Sequence, residues 1–180
     1  MKDPYSNPWR TKATRVVYDN PWIRVRHDEV TRPDGAPGIY GVVHFKNQAI
    51  GVLPLDAGGY TYLVGQYRYT LDCYSWELPE GGCPAGEEPL AAAKRELLEE
   101  VGLEARAWRE IGRAHLSNSV TDEEAILYLA TDLVQCEARP EGTEQLIVRR
   151  MPFAEALRMV LCGEITDAMS VIAILRMAHG

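Results

Sequence analysis

The chain has 180 residues, enough for one domain with a buried core and a small appendage. Its 26 acidic residues against 19 basic ones give a net charge of −7 and leave no basic stripe, which argues against a nucleic-acid-binding surface. Cys73, Cys83, Cys136 and Cys162 follow no paired spacing, MKDPYSNPWR holds no apolar signal core, and no run nears about 18 apolar residues; these features predict a reduced, cytoplasmic protein with no membrane span.

Residues 1–12 show little pattern and predict an extended arm. From Thr14 the text turns β-like, with RVVYD and then WIRVRHDEVTR, where Ile23, Val25 and His27 alternate with Arg24 and Arg26. Pro33-Asp34-Gly35 signals a turn and IYGVVHF a returning strand, so residues 14–46 predict a small antiparallel unit. Residues 1–46 are thus set apart as arm and β unit, and 47–180 as the main domain. Ala49–Leu55 and Tyr60–Tyr69 predict a strand pair across the turn Asp56-Ala57-Gly58-Gly59. Glu80-Gly81-Gly82 and Pro84-Ala85-Gly86 read as a turn-rich loop, followed by a helix with Pro89 in its first turn and Gly102 just past its end. Strands over Leu103–His115, Glu124–Asp132 and Leu146–Arg149 come next, then helices over Pro152–Val160 and Thr166–Met177. Mixed strands with helices on either side predict an α/β (α+β) class or a three-layer sandwich.

Chemistry concentrates in the first helix. Glu96, Glu99 and Glu100 stand at i, i+3 and i+4 and therefore share one face. Like charges that close repel, and a divalent cation relieves the repulsion. Carboxylate oxygens without nearby histidine or cysteine favour Mg²⁺ or Mn²⁺ over zinc. A lone ExxEE is more often a solvated acidic face. Here Leu90, Ala93, Leu97 and Val101 add an apolar stripe on another face, and the preceding turn-rich segment can bring backbone carbonyls close to the acids. His27, His44, His115 and His179 show no ligand spacing. Trp22 and Tyr40, within the N-terminal unit, are candidates for contact with a base or a partner chain.

The segment Gly81–Leu103 matches the Nudix box at every defined position, with Gly81, Glu87, Arg95, Glu96, Leu97, Glu99, Glu100, Gly102 and Leu103. GQYRYT, YSWELPEGG, LYLATDL and GEITDAMSVIAILRM extend the likeness, so that nearly the whole chain resembles the ADP-ribose and nucleoside diphosphate sugar pyrophosphatase branch of the Nudix superfamily. The resemblance implies a Nudix-type α/β/α sandwich with a mixed sheet, and Mg²⁺-dependent cleavage of a nucleoside diphosphate sugar, with Mn²⁺ able to substitute. It implies that Glu96 and Glu100 hold metal with the backbone carbonyl of Glu80, that Glu99 supports or joins them, and that Arg95 orients the box carboxylates. It also implies that Arg68 reaches the substrate phosphates, with Glu77 close to the ligand; the plainer reading of Arg68 is a surface ion pair. The resemblance further implies a general base from the acidic loop CEARPEGTEQ, where Glu144 is better aligned than Glu141. Many ADP-ribose enzymes have proline where this sequence has Ser119, which widens the expected sugars to include GDP-mannose.

Two rivals are a hydrolase of nucleoside triphosphates and a non-catalytic nucleotide-sugar sensor. The N-terminal β unit speaks against the first and the complete box against the second. Large apolar residues on more than one face of residues 14–46, together with the resemblance, predict a homodimer formed through that unit.

Overall fold

The computed structural model describes residue 3, residues 5–136 and residues 146–179. They form two compact units, Met1–Asn47 with Ser117–Glu123, and Gln48–Leu116 with Glu124–Gly180.

In the first unit, β1 (Arg10–Asp19), β2 (Ile23–Thr31) and β3 (Pro37–Phe45) form an antiparallel sheet in the order β1-β2-β3. Strand β1 starts within the segment expected to be an unpatterned arm, because Arg10 and Thr11 pair with Thr31 and Val30. The returning loop joins the unit at the free edge of β3: Val43 N–H donates to Val120 O at 2.9 Å, and the Tyr40 hydroxyl donates to Ser119 O at 2.9 Å.

In the second unit, β4 (Gln48–Pro54), β7 (Glu80–Cys83), β8 (Leu103–His115) and β9 (Glu124–Gln135) form a mixed sheet in the order β7-β4-β9-β8. Strands β5 (Tyr60–Arg68), β6 (Cys73–Glu77) and β10 (Ile147–Pro152) form an antiparallel sheet ordered β10-β5-β6. Helix α1 (Pro89–Val101) covers one side of the mixed sheet, while α2 (Phe153–Leu161) and α3 (Ala168–His179) cover the other. Alternation along β4 explains the two cores. Ile50 and Val52 pack with Ala93, Leu97 and Val101 of α1; Ala49 and Leu53 pack with Met159, Met169, Ala173 and Ile174 of α2 and α3. A strand buried on both faces reads as a continuous apolar run, as a strand parallel to its neighbour does here: β4 runs parallel to β9. The chain therefore has the mixed three-layer architecture anticipated above. No helix among the described residues is long and apolar enough to cross a membrane.

Three local expectations are corrected. The segments 49–55 and 60–69 do not form a hairpin; β4 bonds to β9 and β7, β5 bonds to β10 and β6, and only the Leu55–Thr61 bridge joins the two segments. Glu80–Cys83, expected as a loop, is an edge strand beside Gln48–Gly51. The buried stripe of α1 contains Ala92 and not Leu90, which is 36% exposed. Leu90 lies in the first turn, ahead of the part of the helix that seats on the sheet.

Candidate active site

Helix α1 begins with proline and ends at Gly102, whose φ of 70° closes the helix in the left-handed region while its N–H donates to Leu97 O and Leu98 O. This frame fixes the acids. Glu96 and Glu100, one turn apart, are 9% and 6% exposed, an unusual burial for carboxylates. The mate of this face is β7. Its register with β4 pairs Ile50 with Gly81 and Gly51 with Glu80, and Val52 N–H donates to Pro79 O. Gly51–Glu80 and Ala49–Gly82 are then the pairs without mutual hydrogen bonds, so the amides and carbonyls of Glu80 and Gly82 face away from β4. Glu80 N–H donates to Glu100 Oε2 at 3.0 Å, and Gly82 O accepts from Arg95 Nη2 at 2.9 Å.

Side chains alternate across the same strand. A Cβ on Gly81 would lie 2.1 Å from the Glu96 carboxyl carbon, so only glycine lets the carboxylate pack on the strand. Glu80 points to the opposite face, where its Oε1 accepts from Arg68 Nη2 at 2.6 Å. Its Oε2 is buried without a hydrogen-bond partner among the described residues. Burial, then the charges of Asp167 and Glu77, push the Glu80 carboxyl well above the usual carboxylate range.

Two arginines organise these acids. Arg95 Nη1 donates to Glu96 Oε1 at 2.7 Å and to Glu99 Oε2 at 3.1 Å, while Nε and Nη2 reach Glu87 at 3.2 and 3.0 Å. Arg68, at the end of β5, shares a face with Glu77 because Val64 pairs with Glu77 and Arg68 lies four residues on. Its Nε donates to Glu77 Oε1 at 2.9 Å, and Glu77 is 3% exposed. Burial opposes the guanidinium charge, but the Glu77 hydrogen bond and the charges of Glu80, Glu77 and Asp167 outweigh it and raise the Arg68 pKa. The Arg68 side chain keeps 35% exposure, so a cation held on two carboxylates still meets solvent.

The donor chemistry fits a hard divalent cation. Two buried glutamates face an edge-strand backbone across a contact that a side chain at Gly81 would close, and the candidate donor atoms are all oxygens. In this arrangement the arginines engage the acids, and no three acidic, histidine or cysteine side chains among the described residues converge as a metal site. The structure thus gathers Glu77, Glu80, Glu96, Glu99, Glu100, Arg68 and Arg95 in the second unit. Tyr40 and Trp22 lie in the first unit. There the Tyr40 ring meets Trp9 edge-on at 5.5 Å, and Trp22 is 68% exposed. Glu141 and Glu144 fall outside the described residues. Ser170 and the role of Asp167 go beyond the expected set: Ser170 Oγ accepts from Leu78 N–H at 2.8 Å, and Asp167 Oδ2 accepts from Ser170 N–H at 2.7 Å. A D-x-x-S spacing ahead of an apolar run was the available signal for a helix cap.

The α/β/α sandwich thus sets an arginine-braced glutamate face against a glycine-bearing edge strand. The chain belongs to the NUDIX family: residues 46–168 match the NUDIX domain, and residues 9–43 match the nucleoside diphosphate sugar hydrolase N-terminal domain. It is therefore a hydrolase of the nucleoside diphosphate sugar branch. An ADP-ribose pyrophosphatase of Mycobacterium tuberculosis is 35% identical over 172 residues, covering 93% of this chain and 82% of the relative. One of Bacillus subtilis is 30% identical over 167 residues, covering 92% and 90%. The crystal structure of an ADP compounds hydrolase superposes with a TM-score of 0.87 at 19% identity, covering 98% of this chain and 96% of that one, which supports the fold.

Proposed function

We propose that the chain is a Mg²⁺-dependent pyrophosphohydrolase that splits a nucleoside diphosphate sugar into a nucleoside monophosphate and a sugar phosphate. ADP-ribose is the leading substrate, on the strength of the relatives, and GDP-mannose is within range because Ser119 replaces a proline common in ADP-ribose enzymes. The observation that carries the reading is the pair Glu96 and Glu100, buried against Gly81 and the outward-facing backbone of Glu80.

Glu96, Glu100 and the Glu80 carbonyl are the proposed ligands, with Glu99 joining or supporting them. Mg²⁺ held there, or Mn²⁺ in its place, would supply the positive charge that offsets charge developing at phosphorus. Arg95 holds the glutamates in orientation through its contacts with Glu87, Glu96 and Glu99, a supporting task that metal sites depend on. Arg68, fixed by Glu77 and Glu80, presents its solvent-facing side to the phosphates. Glu144, or failing it Glu141, takes the proton from the attacking water.

The unit built on β1–β3 is the proposed dimer contact. Its support is the run of exposed apolar residues Val16, Val17, Tyr18, Trp22, Ile39 and Phe45 on a sheet of three strands. In the dimer, Trp22 and Tyr40 would help shape the nucleotide pocket.

A panel of ADP-ribose, GDP-mannose, other nucleotide sugars, dinucleotides and nucleoside triphosphates, assayed with Mg²⁺ for released monophosphate, tests the proposal. Turnover of a nucleotide sugar above all other classes supports it. A preference for triphosphates, or binding without cleavage, contradicts it.

A further inference from the structure

The segment Leu78-Pro79-Glu80 enters the site under constraint from three sides. Pro79 has no N–H, so Leu78 carries the last backbone donor before Glu80. That donor goes to Ser170 Oγ of α3 at 2.8 Å, and both residues are buried, at 1% and 0% exposure. The next carbonyl, Pro79 O, is taken by Val52 N–H of β4 at 2.9 Å, and the next amide, Glu80 N–H, by Glu100 of α1 at 3.0 Å. Three elements thus hold three consecutive residues, and the Glu80 carbonyl is the group they aim.

The α3 grip is itself braced. Asp167 accepts from Ser170 N–H at 2.7 Å, and Val171 N–H donates to Asp167 O at 2.9 Å, which fixes the first turn that carries the hydroxyl. Met169, in the same turn, lies over Gly51, with its Cβ 3.6 Å from where a Gly51 Cβ would stand, and Gly51 is the β4 partner of Glu80. The turn therefore presses on the strand pair that sets the height of Glu80 and, through Ser170, holds the residue two positions before it.

We propose that Ser170, on the turn capped by Asp167, is a positioning residue for the hydrolase: it fixes Leu78–Glu80 so that the Glu80 carbonyl meets the Glu96 and Glu100 carboxylates at a cation-binding distance. This rests on the metal reading given above. A serine that only stabilises the core would lower thermal stability and leave cation affinity unchanged. A positioning serine changes both.

The test measures Mn²⁺ affinity of the substrate-free full chain by electron paramagnetic resonance, in wild type, S170A, S170T and I174A. Ile174, one turn further along the same helix and fully buried, carries no hydrogen-bonding side chain, so I174A lowers Tm by loss of packing while the Ser170 hydroxyl and the Leu78 amide both remain. S170A should raise the Mn²⁺ Kd by about 10-fold, the low end of what losing a supporting partner costs a metal site. It should also speed hydrogen exchange at the Leu78 amide. With substrate and Mg²⁺, kcat should fall while KM for the substrate stays within about twofold, because the altered groups act at the reacting centre and not in uniform binding. S170T, which keeps the hydroxyl, should return Kd toward wild type, and I174A should leave it unchanged. Should S170A fail to fold, S170C takes its place with the same expectations, since it preserves volume but offers only a weak acceptor. Wild-type Mn²⁺ affinity in S170A, or an equal rise in I174A, would overturn the positioning role alone. Absence of Mn²⁺ binding to the wild type would overturn the metal reading with it.

Discussion

At the scale of single residues, the site turns on a few close contacts. Gly81 is one. A methyl group there would occupy the Glu96 carboxylate, so G81A should displace that carboxylate and lower kcat by about 10²-fold, a loss in line with removing a charged catalytic group. Circular dichroism should stay native, and activity within threefold of wild type would contradict the packing argument. Arg68 is another. On the proposed role of Arg68, R68A would remove a charge-assisted contact to phosphate, worth about 1.5–3 kcal/mol, and should cut kcat/KM by roughly 10- to 150-fold. Away from the site, Asp56 binds Arg150 and accepts from Gly58 and Tyr60 N–H; burial would raise its carboxyl, but these contacts hold it below the usual range. A depressed folded-state pKa contributes stability above the unfolded value near 3.8, and that stability is lost as pH falls through the folded value. D56N should therefore lower Tm at pH 7, and the gap to wild type should narrow as pH falls below the unfolded value and through the folded one. The box residues were legible from sequence because their identities and spacing form a pattern. Ser170 and Asp167 were not, because their meaning lies in a bond to Leu78, 92 residues away along the chain.

At the scale of elements, legibility followed local chemistry. Helix α1 carries its own punctuation, Pro89 and Gly102, and spans Pro89–Val101. Replacing Gly102 by alanine would force a Cβ into the left-handed region and should destabilise the protein by about 1 kcal/mol, read as a lower midpoint in urea with an unchanged m-value. The β4 and β5 segments were recognisable as strands, but their partners were not. Asp56–Gly59 supplies turn chemistry that would suit a hairpin, yet β4 is claimed on both edges by β7 and β9, a non-local pairing that periodicity does not encode. Strand β7 was hidden for another reason. Four residues with two glycines, Glu80–Cys83, have no alternation to read, and their strand character comes entirely from the edge of β4. That same edge position leaves the Glu80 and Gly82 carbonyls facing α1, so the element hardest to see is the one that completes the site.

At the scale of the whole molecule, two units come from one chain, and the returning loop 117–123 belongs with the first. The antiparallel unit was legible from its alternation, apart from the early start of β1, whereas the loop's attachment to β3 through Val43, Tyr40 and His44 was not, since it joins residues far apart in sequence. The exposed apolar surface of β1–β3 underlies the dimer proposal, which light scattering decides: a monodisperse, fully active species near the chain mass of 20.1 kDa would rule it out. The central claim concerns the buried glutamates, and its most direct test is turnover of ADP-ribose by E100Q at saturating Mg²⁺, with E96Q beside it. Each substitution keeps the shape of the side chain and removes one proposed anionic ligand, so kcat should fall by about 10²-fold or more. Near-wild-type turnover in both variants would contradict the assignment of these carboxylates to the metal.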